Sequence, residues 1–118
     1  MEVHKTVLSR IPLLKVTGDV DHLSAQALEE YVQDSLRADD PHLLLDLAQC
    51  PYLDSGGLSV LLYAVLEVRD KGWIGLIAPS SNLLRIFEIT GLTTDPHVRV
   101  FSDLDEATAA LESLAGHA

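Results

Sequence analysis

The sequence holds one cysteine, Cys50, so no disulfide can form within the chain, as fits a reducing compartment. Positive charge is also scarce: 8 Lys and Arg stand against 18 Asp and Glu in 118 residues, a formal net charge of −10 with a pI near 4.6. Such a surface repels phosphate backbones and anionic lipid heads, which excludes nucleic acid and direct membrane binding as expected partners and leaves a basic protein surface attractive. The longest apolar stretch, around Leu58 to Leu66, is broken by Ser59 and falls well short of the ~20 residues that cross a bilayer. The opening residues Met1-Glu2-Val3-His4-Lys5 lack the basic flank and apolar run of a signal peptide. There is no Gly/Ser/Pro-rich linker, repeat or low-complexity segment. The expectation is a cytoplasmic protein with one domain over residues 1–118.

What is present is a 47% hydrophobic chain whose pattern switches between short β-like runs and longer helical ones. Val3 to Leu8 and Leu13 to Thr17 read as strands, joined at Ser9-Arg10 with the short spacing of an antiparallel hairpin. Ser24 offers an N-cap for a helix to about Arg37, with Ala25, Leu28, Val32 and Leu36 inward, ended by Asp39-Asp40-Pro41. Leu43-Leu44-Leu45-Asp46-Leu47 has the nearly continuous apolarity expected of a strand buried on both faces. A second helix starts near Asp54-Ser55 and runs to about Asp70-Lys71, with Gly72 as its stop. Its apolar face is Leu58, Leu61, Leu62, Val65 and Val68, and Ser59, Tyr63, Glu67 and Asp70 make a polar stripe.

Trp73 to Ala78 is a further strand, and Ser80-Ser81-Asn82 can cap a short helix through Glu88 that packs Leu83, Ile86 and Phe87 inward. Val98 to Phe101 is the last strand, followed by a helix capped at Ser102-Asp103 with Leu104, Ala107 and Leu111 inside. The order β-β-α-β-α-β-α-β-α implies an α/β fold with a mixed, mostly parallel sheet flanked by helices.

In open α/β sheets, ligands and partners meet the loops at the carboxyl ends of strands. Two such loops carry the polar residues of interest: Thr17-Gly18-Asp19-Val20-Asp21-His22 and Cys50-Pro51-Tyr52-Leu53-Asp54-Ser55-Gly56-Gly57-Leu58. Asp54 or Ser55 sits where a helix begins, so either can be an N-cap. A hydroxyl at a helix start can also carry a phosphate, because free amides and the positive dipole end favour it. Gly56 and Gly57 would clear space around that hydroxyl for a partner's active site. A phosphate brings about −1.5 to −2 charges, which beside Asp54, Asp19 and Asp21 would act by repulsion at an interface.

Asp54-Ser55-Gly56-Gly57-Leu58, with Thr17-Gly18-Asp19-Val20-Asp21 upstream and Arg85-Ile86-Phe87-Glu88-Ile89-Thr90-Gly91-Leu92 downstream, resembles the STAS family. More narrowly, the chain resembles the bacterial anti-sigma factor antagonists, over nearly its whole length. The resemblance implies partner switching by a non-enzyme. In that family the serine after the motif's aspartate is phosphorylated by a serine kinase that is also the anti-sigma factor. The unmodified antagonist binds that kinase and frees the sigma factor; phosphorylation releases it, and a metal-dependent serine phosphatase resets the cycle.

Carried onto this chain, Ser55 is the phospho-acceptor, Asp54 the neighbouring acid and Asp21 the acidic position of the upstream loop. The implied partner face is Asp19, Asp21, Asp54, Ser55, Gly56, Gly57 and Leu58. Many antagonists have Ser or Thr where this chain has Gly56, so one acceptor remains in the motif and one interface hydroxyl is missing. STAS domains also serve as scaffold and transporter subunits, in which Ser55 would be only a helix cap.

Rival chemistries lack parts. A phospho-receiver built around Asp46 needs an adjacent acidic pair after an early strand and a late lysine, yet no Lys follows Lys71. A hydrolase using Ser55 and His22 lacks the Gly-x-Ser-x-Gly turn. Asp19, Asp21 and His22 as metal ligands amount to three groups in one loop, and His4, His42, His97 and His117 show no ligand spacing. With no Gly-rich phosphate loop either, no cofactor and no metal are expected.

Overall fold

Ser9 and Arg10 both take positive φ, 49° and 70°, and this two-residue turn folds β1 (Glu2–Leu8) back onto β2 (Ile11–Thr17). The strands pair antiparallel with Leu8 opposite Ile11, and a turn of that hand follows the natural strand twist. The computed structural model describes residues 1–37 and 41–115, with side chains up to residue 113. Asp39, Asp40 and His117 lie outside them.

From β2 onward every pairing is parallel: β3 (His42–Gln49) on β2, β4 (Trp73–Ile77) on β3, and β5 (Val98–Phe101) on β4. The spatial order β1-β2-β3-β4-β5 repeats the chain order. Right-handed crossovers between successive neighbours put their helices on one face. These are α1 (His22–Ser35), α2 (Ser55–Val68) and α3 (Ser81–Ile89), while α4 (Leu104–Ala115) follows β5 and covers the other face.

Side-chain alternation sorts the core accordingly. Leu43, Leu45 and Leu47 join Leu28, Val32, Leu61, Val65 and Phe87 beneath α1, α2 and α3. Leu44 points the other way, with Leu13, Trp73, Ile77 and Phe101, toward Ala107 and Leu111 of α4. The nearly unbroken apolarity of Leu43 to Leu47 in β3 and the full apolarity of β4 are thus a consequence of two covered faces. At about 0.8 kcal/mol per buried CH₂, this double burial holds the central strands.

Because the strand order never reverses, no topological crevice opens at the carboxyl edge. What the fold offers there is a surface of loops and helix starts.

Three local expectations change. Asp21, not Ser24, is the N-cap of α1: its carboxylate accepts from the amides of Leu23 and Ser24, and the Ser24 hydroxyl accepts from the Asp21 amide in return. The second helix stops at Val68, and Asp70, with φ of 65°, makes the left-handed turn expected of Gly72. Gly72 serves close packing, since a Cβ there would lie 1.8 Å from the Pro41 carbonyl oxygen. Finally, Leu62 of α2 and Leu104 of α4, both expected on inward faces, are exposed.

Candidate functional site

The two polar loops leave neighbouring strands, β2 and β3, and backbone bonds lace them together. The Gly18 amide donates to the Gln49 carbonyl at 2.8 Å and the Val20 amide to the Tyr52 carbonyl at 2.9 Å. The Asp54 amide donates to the Val20 carbonyl at 3.0 Å, completing an isolated parallel bridge between Val20 and Leu53. Both bridge residues are buried. The bridge extends the sheet just past its carboxyl edge and holds the starts of α1 and α2 side by side.

Asp54 caps α2. Its Oδ1 accepts from the amides of Gly56 at 2.8 Å and Gly57 at 3.1 Å. Ser55 is therefore the first helical residue and not the cap, which corrects the scaffold reading in which its hydroxyl holds the helix start. The Ser55 side chain is exposed, and its hydroxyl has no hydrogen-bond partner among the described residues. Its carbonyl accepts from the Ser59 hydroxyl at 2.8 Å. The same geometry corrects the expectation that free amides await a phosphate on Ser55. Those of Gly56 and Gly57 already serve Asp54, so a phosphate there would project toward solvent among carboxylates.

The glycines also have a different task from the one expected. A Cβ on Gly56 would come within 2.9 Å of His22 Cα, and one on Gly57 within 2.8 Å of Leu53 Cδ2 and 3.0 Å of Val20 Cγ1. They let α2 sit directly against the first turn of α1 and the bridge. A Ser or Thr at position 56 would meet backbone here. Gly57 is buried behind the surface, while Leu58 is half-buried and packs against the core.

Asp19, Asp21 and Ser55 are exposed and Asp54 is half-buried, an acidic rim on the two loops that the bridge joins. Backbone hydrogen bonding from Ser24, with its hydroxyl and the Leu23 amide, holds the Asp21 carboxyl below the usual carboxylate range. Beneath the rim, Cys50 is buried and donates to the Tyr52 carbonyl; desolvation pushes its thiol pKa up. Two exposed large side chains beside the site escaped the sequence reading: Leu23 in the first turn of α1 and Tyr52 in the loop before α2. The signal was available in Tyr52, an aromatic standing in a loop that offers it no core to fill.

Asp46 accepts from the Ala48 amide at 3.0 Å, where the β2–β3 register shifts. Among the described residues no three His, Cys, Asp or Glu side chains converge as a metal site, and no helix is long and apolar enough to cross a membrane.

Comparison with known proteins shows the family and the fold. The family model for the STAS domain matches residues 2–107. The anti-sigma-F factor antagonist RsfB of Mycobacterium tuberculosis is 29% identical over 97 residues, 82% of this chain and 78% of that protein. An anti-sigma-B factor antagonist of Listeria monocytogenes is 33% identical over 79 residues, 66% of this chain and 69% of its own. The crystal structure of an anti-sigma factor antagonist from Mycobacterium paratuberculosis superposes with a TM-score of 0.79 at 26% identity, over 94% of this chain and 93% of the other.

Proposed function

The chain belongs to the STAS domain family, and we propose that within it the protein is a non-catalytic anti-sigma factor antagonist switched by phosphorylation of Ser55. Its proposed partners are a serine-kinase anti-sigma factor in the cytoplasm, bound by the unmodified form, and a serine phosphatase that restores it. Relatives named as antagonists of anti-sigma factors support the role.

The observation that carries the reading is a division of labour between adjacent residues. Asp54 supplies the helix cap, leaving the Ser55 hydroxyl exposed and without a structural duty. Phosphoryl transfer from ATP forms a bond between Ser55 Oγ and phosphorus, breaks the bond to the ADP oxygen, and removes the hydroxyl proton. Nothing in the fold must break for that to happen. The product adds about −1.5 to −2 charges beside Asp19, Asp21 and Asp54. A partner surface fitted to a neutral hydroxyl there must then desolvate a dianion or let go.

The test is incubation of the purified protein with its serine-kinase anti-sigma factor and ATP, followed by phosphosite mapping by mass spectrometry. Phosphate on Ser55 alone, lost in Ser55→Ala while kinase binding persists, is the expected result. Undiminished phosphorylation of Ser55→Ala would overturn the assignment of the site. A stable partner indifferent to ATP, with no phosphate on Ser55, would favour a constitutive scaffold.

A further inference from the structure

Helix α2 leads from Ser55 to a second surface feature on the same line of the helix. Ser55, Ser59, Leu62 and Leu66 follow one another at spacings of four, three and four, so they share a face, and all are exposed. Leu62 is 42% and Leu66 58% exposed in a helix whose other large apolar residues are buried or half-buried. The two leucines form one wall of a groove of about 320 Å³, with Gly91 and Leu92 opposite. Arg69 and Asp95 close its far end with an ion pair of 3.9 Å, and Asp95 is fixed in place by the His97 amide at 2.8 Å. Ile89, at the end of α3, stands exposed nearby in sequence to the opposite wall.

We infer that this groove is the anchoring half of the surface that receives the kinase-type partner, taking an apolar side chain of that partner while Ser55 faces its active site. The inference rests on the Ser55 reading above and adds where the binding energy comes from.

Size and continuity argue for one occupant covering both features. A rise of ~1.5 Å per residue puts Leu62 about 10 Å and Leu66 about 16 Å along the helix from Ser55. A standard interface covers roughly 800 Å² per partner, a disc about 16 Å in radius. A protein seated on Ser55 therefore covers Leu62 and reaches Leu66.

The charge sequence along the face gives the chemistry of the complement. Acidic Asp19, Asp21 and Asp54 lie at the start, uncharged Ser59, Leu62 and Leu66 in the middle, and Arg69 at the end. The matching surface is basic at the Ser55 end and apolar over the leucines, because Asp95 already pairs with Arg69. Apolar anchors of this kind carry most of the energy in protein interfaces, whereas rim charges chiefly govern orientation and encounter. Anchoring and switching are thus separable: the groove supplies affinity and the Ser55 end supplies control.

The test is calorimetric titration of the purified serine-kinase anti-sigma factor, with ADP, into wild type, Leu62→Ser, Leu66→Ser and, on the α4 face, Leu104→Ser. The expected result is at least tenfold weaker binding for Leu62→Ser and a smaller loss for Leu66→Ser. Leu104→Ser should match wild type, and Ser55 in every variant should still be fully phosphorylated at saturating kinase. Unchanged affinity of both groove variants alongside tight wild-type binding would overturn the groove while sparing the Ser55 reading. So would a concentration-dependent dimer in sedimentation that Leu66→Ser abolishes, because a second copy would then be the occupant. No binding by wild type would remove the Ser55 reading and this inference with it.

Discussion

Val20 and Leu53 form an isolated parallel bridge one step beyond the sheet, and each stands immediately before the aspartate that caps a helix. That pairing sets the first turns of α1 and α2 side by side and brings Asp21 and Asp54 to one surface. Leu53 also packs beneath Gly57. Removing its buried side chain should open a cavity under the site: Leu53→Ala is expected to lose about 2–5 kcal/mol in urea denaturation. A loss near zero would mean that the bridge does not hold the two loops together.

The adjacent residues Asp54 and Ser55 should respond oppositely in stability and in regulation. Asp54→Ala removes the acceptor for two amides and is expected to cost about 1 kcal/mol, within a range of about 0.5–2. Ser55→Ala should stay within about 0.5 kcal/mol, as for an exposed residue without partners. Chemical denaturation of both variants reads the difference directly, and equal losses would return the capping role to Ser55.

Charge at position 55 should weaken partner binding without perturbing the fold. Ser55→Asp is expected to lower affinity for the kinase-type anti-sigma factor and to do so less as salt is raised, since screening shortens the reach of the acidic rim. Titration calorimetry at two ionic strengths measures this. Equal affinity of Ser55→Asp and wild type at low salt would speak against an electrostatic switch.

Restoring a hydroxyl at position 56 should be costly in this chain. With 2.9 Å from the added Cβ to His22 Cα, Gly56→Ser forces α1 and α2 apart. Overpacking of this kind costs about 1–3 kcal/mol. Amide chemical shifts from Gly18 to Ser24 should move together with those of Asp54 to Leu58. Unmoved shifts in the α1 loop would show that the two helix starts are not in tight contact.

Acid should weaken the start of α1. The Asp21 carboxyl titrates below its ordinary value of about 3.9 because the Ser24 amide and hydroxyl and the Leu23 amide hydrogen-bond its charged form. Its contribution is therefore present above the unfolded pKa and is lost as pH falls through the lower folded one. Asp95, lowered chiefly by the His97 amide, adds in the same direction. Asp21→Asn keeps a capping oxygen without the charge, so wild type should be the more stable at pH 7 and the gap should close below about pH 4. A gap independent of pH would remove the carboxylate from the account.

The strands and their succession along the chain were legible because strands buried on two faces are largely apolar, as Leu43 to Leu47 are apart from Asp46 and Trp73 to Ile77 are throughout. The Asp54-Ser55 helix start was equally legible, since few residue types cap a helix. Which of the two caps was not, because Asp and Ser do so about equally well and the choice turns on which backbone falls into extended conformation. Ser24 misled for a related reason: it does belong to a cap, as the reciprocating partner of Asp21. Leu62 belonged to the helical apolar period, yet none of the described elements packs over it, and periodicity cannot report where neighbouring elements end.

By itself, then, the sequence determined the succession of strands and helices, the acidic surface and the chemical identity of the exposed serine. These follow from local period, composition and capping chemistry. Only the tertiary structure decided that Gly56 and Gly57 serve the contact of α2 with α1 and the bridge, that Asp19 and Asp21 share a surface with Ser55, and that Leu62 and Leu66 remain uncovered. Each of these depends on two segments distant in the chain meeting through the Val20–Leu53 bridge or failing to meet over α2, and no local rule specifies such a distance.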